Sequence, residues 1–432
     1  MVNPMNGSEI AASGPREAYT EQIKPRGRMR AFRRVGVATA LAAALLGGVA
    51  ASGAAAADGG QDRPELQRAI QAFVDAGFAG VQLRVNDERG EWAGSAGVRK
   101  LGTTAKPPTN GHFRMGSTTK NFTATLVLKL VAAGEVDLDA PVADHLPQYG
   151  LDRRITVRML LQHTSGLIDY TFDVLPDGTQ VSLIPWQGEE WVDKRFHTYK
   201  DDELVRLSLS RRLKFEPGTG WSYSNTNYVL AKLLIEKVTG HSYAVEMQRR
   251  ILGPLKLEHT VVPGARSDMP APYAHAYYRY EDAGQWKVID VTRQNPSWIS
   301  AAGEMISTTE DLHTFFSALN DGTLLPARLL AEMREPHPGS AGLYGRYGLG
   351  VYVQDTGPDC ASVILNHNGS NNGYGALMYS TPDGKKTMTA SITSGDAAMD
   401  VATEFPKALN DLIDVVFCDG EAASADAAKP AQ

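Results

Sequence analysis

Strand signals fall at both ends of this chain and helical signals fill its middle. That order restricts the fold more than any other feature. Pro64 to Ala76 carries Leu66, Ile70, Phe73 and Val74 at helical spacing. Gly80 to Val85 and Glu91 to Val98 read as a hairpin about the turn Asn86-Asp87-Glu88-Arg89-Gly90. From Glu135 to about Pro270 the pattern changes to short helices with Pro and Gly breaks: Val157 to Gln162, Asp201 to Ser210, and Tyr228 to Thr239 ending at Gly240. Asp173 to Lys200 is poorly periodic and reads as a long excursion able to overhang a cleft. Strand patterns return at Ala274 to Tyr280, Trp286 to Val291, Tyr347 to Gln354, Ser362 to His367, Tyr374 to Ser380 and Lys386 to Thr393. Helices are expected at Thr309 to Ala318 and Val401 to Phe417, with Pro406 tolerated in the first turns of the latter. Such an order implies an antiparallel sheet closed by the two chain ends around an α-rich insertion, an α/β (α+β) architecture.

The chain is long enough for a large core, with 432 residues of which 43% are hydrophobic. Its net charge of -6 argues against a nucleic-acid partner. Residues 1–57 read as a signal peptide with an upstream extension. Arg26, Arg28, Arg30, Arg33 and Arg34 form the basic region, Val35 to Ala50 the apolar core, and Ala55-Ala56-Ala57 a small-residue cleavage site before Asp58. The apolar run is short for a membrane span, and an uncleaved anchor is the alternative. Residues before Met29 carry no fold signal. A secreted protein without stable membrane insertion is expected. Residues 421–432 are Ala-, Glu-, Asp- and Lys-rich, and a disordered tail is expected over 419–432. In an exported chain the even pair Cys360 and Cys418 reads as one disulfide, with two free buried thiols as the alternative.

Three short motifs carry chemistry. Gly116-Ser117-Thr118-Thr119-Lys120 stands where a helix begins, ahead of the mostly apolar run Asn121 to Ala133. Three residues is nearly one turn, so the Ser117 hydroxyl and the Lys120 amine share a face. A serine needs a proton acceptor to become a nucleophile. A lysine serves when burial or cationic neighbours lower its pKa. The helix start adds unpaired N–H groups favourable to an oxyanion. The second motif is Tyr223-Ser224-Asn225, in a Gly- and Pro-containing loop ahead of a helix. In an extended segment Tyr223 and Asn225 point the same way. A phenol holds or passes a proton, and a carboxamide binds an amide carbonyl or an amine. The third is His367-Asn368-Gly369, followed by Ser370, on an expected strand. There His367 can supply charge or a hydrogen bond, and Gly369 admits a close backbone approach. About a hundred residues separate the first two motifs and about a hundred and forty the last two.

At these residues the chain resembles the penicillin-recognising serine hydrolases, the serine β-lactamase and DD-peptidase superfamily. With His-x-Gly for the third motif it looks most like the soluble exocellular D-alanyl-D-alanine carboxypeptidases and the alkaline D-peptidases. The similarity runs from about Glu65 to Cys418 and includes Leu161-Gln162-His163-Thr164-Ser165-Gly166-Leu167, Ser297-Trp298 and the two cysteines. It implies an α/β sheet domain from 62–135 plus 272–418, an all-α domain at 136–271, and an active site in the cleft between them. It also implies that Ser117 is acylated, Lys120 takes or tunes its proton, and Tyr223 relays a proton to the leaving group. Asn225 would grip a substrate amide and His367 would support Tyr223. The N–H groups of Ser117 and Ser370 would form the oxyanion hole beside Gly369, and Trp298 would match a cleft-wall aromatic. His163 is read as structural.

One departure bears on substrate. Where the family's carboxypeptidases place an arginine for a terminal carboxylate, this chain has Tyr352, and Arg346 lies several residues early. Asn368 and Ser370 replace a pair of threonines. Loss of a bidentate carboxylate partner weakens preference for a free C-terminus. The expectation is a D-alanyl-D-alanine carboxypeptidase-like hydrolase working through an acyl-enzyme on peptide or peptidoglycan-stem-like substrates, with β-lactams as acylating inhibitors. The alternatives are a D-stereospecific endopeptidase, amidase or esterase, then a β-lactamase, and outside enzymes an inactive β-lactam or muropeptide binder. A monomer without metal or cofactor is expected. The chain contains no Gly-x-Ser-x-Gly, His-Glu-x-x-His, phosphate-loop or Cys-x-x-Cys run.

Overall fold

The computed structural model describes residues 62–418 apart from 341, 343, 359 and 396–400. The expected signal segment and C-terminal tail lie outside the described residues. Helix α1 (Pro64–Asp75) starts on a proline and buries Leu66, Ala69, Ile70 and Phe73, one stripe at i, i+3, i+4 and i+7. Strands β1 (Gly80–Asp87) and β2 (Gly90–Gly97) follow as a hairpin. Its turn is tighter than expected. Asn86 and Asp87 stay in register with Glu91 and Gly90, leaving only Glu88 and Arg89 at the tip.

Helix α2 (Thr119–Ala132) is buried on nearly every side. Its polar residues are therefore paired internally. The Asn121 amide donates to the Gly350 carbonyl at 2.8 Å and the Thr123 hydroxyl to the Ala301 carbonyl at 2.9 Å. The middle of the chain is helical as expected, with α3 (Val157–Gln162), α4 (Asp201–Leu209) and α5 (Asn225–Thr239). Within the 173–200 excursion, Asp173–Val174 pairs with Gln180–Val181 and a short helix spans Gly188–Lys194. Strands β3 (Tyr277–Asp282) and β4 (Gln285–Asp290) form a separate hairpin off the main sheet.

After α6 (Thr309–Asn320) come β5 (Arg346–Tyr347), β6 (Tyr352–Gly357), β7 (Ser362–Asn366), β8 (Gly369–Asn371), β9 (Tyr374–Ser380) and β10 (Thr387–Thr393), then α7 (Val401–Phe417). The expected single strand over 347–354 is two, because the Gly348 N–H turns back onto the Val351 carbonyl at 2.8 Å. The main sheet runs β2-β1-β10-β9-β7-β6-β5, with β8 also paired to β9, and every pairing is antiparallel. Both chain ends thus close one sheet. Along β9 the pleat sends Leu377 and Tyr379 to a core shared with α1 and α7, and Ala376 and Met378 to the larger core holding α2 and α5. Cys360 and Cys418 form a disulfide joining the β6–β7 turn to the end of α7. Among the described residues no helix is long and apolar enough to cross a membrane.

Candidate active site

Ser117 lies in a single 3₁₀ turn, Gly116–Thr118, that leads into α2. Gly116 has φ of 50°, and a Cβ there would sit 2.4 Å from the Ser370 carbonyl oxygen. A Cβ on Gly369 would lie 1.9 Å from the Met115 carbonyl oxygen. Two glycines therefore let the serine turn and β8 run backbone against backbone. The Thr118 hydroxyl fastens them further by donating to the His367 carbonyl at 3.0 Å. This close approach places Ser117 and Ser370 on one cavity wall.

Beneath Ser117 the Lys120 side chain is fully buried. Its Nζ lies 3.2 Å from Ser117 Oγ, 2.7 Å from Asn225 Oδ1 and 2.9 Å from the Ala302 carbonyl oxygen. Phe113–Arg114 pairs with Ile306–Ser307, which brings the 300–305 turn under the lysine. Burial pushes the Lys120 pKa down to about 7, with the negative Asp169 nearby acting in the opposite direction. Tyr223 stands over Nζ, its ring centroid 4.6 Å away, and shares the cavity wall with Ser117. Burial raises the Tyr223 pKa well above the ordinary phenol value, so the ring stays a phenol and not a phenolate at neutral pH. Between the two, Lys120 is the group able to accept a proton from Ser117.

The Tyr223-Ser224-Asn225 motif is not one extended segment. Ser224 is extended, with φ of -147° and ψ of 123°, and Asn225 is already the first residue of α5. The helix turn swings the Asn225 side chain inward to Lys120, while Tyr223 stays on the cavity. The Asn225 amide nitrogen donates to Asp169 Oδ2 at 3.0 Å and to Thr171 Oγ1 at 3.1 Å. The resemblance assigns Asn225 to a substrate amide; here its carboxamide is held by protein groups.

His367 is displaced from the expected strand into the gap between β7 and β8, where its N–H still bonds Met378 across the sheet at 3.1 Å. Its Nε2 lies 3.1 Å from Tyr347 Oη and its Nδ1 2.9 Å from the Asn368 carbonyl oxygen. Burial first, then Lys120, push its pKa down to about 3, so the ring is neutral. Its hydroxyl partner is Tyr347, which in turn meets Tyr228 at 3.3 Å, and Tyr228 donates to the Leu161 carbonyl at 2.9 Å. His163 has φ of 63° and ends α3. Its Nδ1 accepts from the Ser224 N–H at 3.2 Å, and its ring lies 4.3 Å from that of Tyr223. It buttresses Tyr223.

The cavity has a volume of about 590 Å3, within the range of small-molecule sites. Ser117, Tyr223, His367, Gly369 and Ser370 line it, with Tyr278, Tyr344, Tyr352, Tyr374, Phe78 and Phe405 as its aromatic walls. Among the described lining residues none is charged at neutral pH. Tyr352 packs edge-on to His367 at 5.5 Å, and Arg346 is exposed on β5, outside the lining. Trp298, expected on the cleft wall, packs into the larger core instead. It closes a 3₁₀ turn started by the Asn295 side chain and is 7% exposed. The excursion reaches the cavity rim, where the Asn372 amide donates to the Trp186 carbonyl at 3.1 Å and the Gly188 N–H to Tyr278 Oη at 2.8 Å.

Sequence reasoning missed Asp169, Thr171, Tyr228 and Tyr347. Asp169 lies two residues beyond the run ending at Leu167, and an acid there in an otherwise uncharged stretch is the signal that could have found it.

The family described as Beta-lactamase matches residues 66–411. The chain belongs to the beta-lactamase family. The resemblance to penicillin-recognising serine hydrolases and the mixed α/β fold with an antiparallel sheet both hold. A D-stereospecific amidohydrolase from Streptomyces is 36% identical, over 83% of this chain and 99% of that one, with a TM-score of 0.71. A D-amino acid amidase from Ochrobactrum anthropi SV3, solved with D-phenylalanine, is 25% identical over 82% and 98% of the two chains, with a TM-score of 0.70. Penicillin-binding protein 4* of Bacillus subtilis is 29% identical over 66% of this chain and 62% of that protein. The chain thus spans between about half and two thirds of the length of the curated relatives it matches.

Proposed function

We propose that this enzyme hydrolyses amides and esters of D-amino acids through an acyl-enzyme on Ser117, in preference to peptides with a free C-terminus. The observation that carries the reading is the uncharged aromatic cavity beside Ser117, with Tyr352 where a carboxylate would need a cation. The similarity to a D-stereospecific amidohydrolase and a D-amino acid amidase supports it. In the proposed reaction Lys120 takes the Ser117 proton as Oγ attacks the carbonyl carbon. The resulting oxyanion is held by the Ser117 and Ser370 N–H groups, a contribution of about 3 kcal/mol per donor. Tyr223 passes a proton to the departing nitrogen as the C–N bond breaks. Water then attacks the ester carbonyl, its proton moves to the same relay, and Ser117 Oγ–H is restored.

Carboxypeptidase action on D-alanyl-D-alanine is the second reading, favoured by the penicillin-binding relative, and acylation by penicillin is expected under either. Secretion after cleavage near Ala57, and two walls of the site built from a sheet domain and a helical domain, belong to the same proposal. The test is turnover of D-phenylalanine amide, L-phenylalanine amide and a D-Ala-D-Ala peptide, with mass spectrometry of Ser117. Faster turnover of the D-amide, with an acyl adduct on Ser117, is expected. Preference for the free carboxylate peptide would return the assignment to a carboxypeptidase, and an unlabelled Ser117 would defeat the mechanism.

A further inference from the structure

Lys120 Nζ has three partners, and they differ in one respect. Asn225 Oδ1 and the Ala302 carbonyl can only accept, whereas the Ser117 hydroxyl can also donate. A neutral amine has two N–H groups and one lone pair. The two pure acceptors take the N–H groups, so the lone pair faces Ser117 Oγ. After proton transfer the ammonium has three N–H groups for the same three partners, and nothing has to move.

This arrangement requires that Asn225 show Lys120 its oxygen. The other end of the carboxamide decides that. Its nitrogen donates to Asp169 Oδ2 at 3.0 Å and to Thr171 Oγ1 at 3.1 Å, and the Asn225 backbone N–H also donates to Asp169 Oδ2 at 3.0 Å. Asp169 Oδ1 accepts from the Thr171 N–H at 2.8 Å and from its hydroxyl at 2.7 Å. These partners are all donors, the pattern of an ionised carboxylate, and Asp169 is 4% exposed. A flipped Asn225 would set its oxygen against that carboxylate and its NH2 against the lysine.

We propose that Asp169 is a positioning residue for the nucleophile: it fixes the orientation of Asn225, which aims the Lys120 lone pair at Ser117. The inference rests on the hydrolase reading above. Both N–H groups of the Asn225 amide are committed inside the protein, so this residue serves the lysine and not the substrate. The titratable groups facing Lys120 are Asp169, Tyr223, Tyr228, His163 and His367. The two tyrosines and two histidines are neutral near pH 7, which leaves Asp169 as the charge that the lysine feels.

The experiment uses the purified full chain, a fluorophosphonate label read at Ser117 by mass spectrometry, and D-phenylalanine p-nitroanilide as substrate. Asp169→Asn should slow Ser117 labelling and kcat by about 100-fold with KM unchanged. It should also move the acid limb of the rate–pH profile to lower pH, since the negative charge that helps Lys120 hold a proton is gone. Wild-type rates, an unmoved limb, or a raised KM at unchanged kcat would each overturn the proposal. If Asp169→Asn does not fold, Thr171→Val carries the test, because it keeps the charge and removes one partner from each end of the contact. It should label about fivefold more slowly with the limb in place, and a wild-type rate would overturn the proposal. A wild-type chain that takes no label on Ser117 defeats the hydrolase reading as well, whereas equal labelling of both variants defeats this inference alone.

Discussion

Two buried bases stand beside Ser117, and their pKa values separate their roles. Lys120, lowered to about 7, changes charge in the working range, while His367, lowered to about 3, does not. The amine must be unprotonated to accept from Ser117, so activity falls as pH drops through about 7. The predicted acid limb of kcat/KM therefore belongs to Lys120 and persists in His367→Gln. A limb that vanishes in that variant would assign the titration to the histidine. Backbone contact at Gly369 makes a second prediction. A Cβ there meets the Met115 carbonyl, which is main chain and cannot rotate away. Gly369→Ala should destabilise by about 1–3 kcal/mol and cut kcat by separating Ser370 from Ser117, read by thermal melting and turnover together. Undiminished kcat in a folded variant would mean that β8 can shift without cost to the site. The nucleophile pair was legible because three-residue helical spacing places two side chains on one face whatever surrounds them. Asp169 was not, since its importance depends on α5 beginning at Asn225, a boundary set by tertiary contacts.

At the scale of elements, local patterns sufficed where a segment's period and its punctuation agreed. The strands β9 and β10 and the Thr381-Pro382-Asp383-Gly384 turn between them follow from short β-rich runs bounded by turn residues, and both strands are buried almost throughout. The break at His367 did not follow. Asn366, Asn368 and Gly369 beside it are weak strand formers, but what interrupts the strand is the serine turn, with Met115 and Thr118 pressed against β8. The last helix offers a test at this scale. Cys360 and Cys418 close a loop with a sequence separation of 58 and fasten α7 to the β6–β7 turn. By loop entropy the bond contributes about 4 kcal/mol. Reductant should lower the melting temperature by several degrees, and Cys418→Ser should match that loss and show no further change on reduction. An unchanged melting temperature would remove the bond from the stability argument.

For the whole molecule, the order of strand and helix signals was legible because a sheet assembled from both chain ends needs only the order of elements, not their angles. The partition of the sheet's two faces was not, because a nearly continuous apolar run along β9 fits burial on both faces without saying by what. One face carries α1 and α7, and the other carries the helices that supply Lys120 and Asn225. The first core reaches the cavity wall through Phe78, Ile392 and Phe405 but holds neither Lys120 nor Asn225, so its stability should separate from kcat under mutation. Leu412 on α7 is fully buried in the first core, and its side chain is absent from the cavity lining. Leu412→Ala should destabilise by about 2–5 kcal/mol in urea titration, the range for opening a cavity in a packed core. Below the unfolding transition its kcat for a D-amino acid amide should equal the wild-type value, because the contacts from α2 to α5 that orient Lys120 do not pass through that face. A loss of kcat in the folded variant would show that the outer helices help to set the distance between Ser117 and β8, and that the sheet transmits strain from one face to the other.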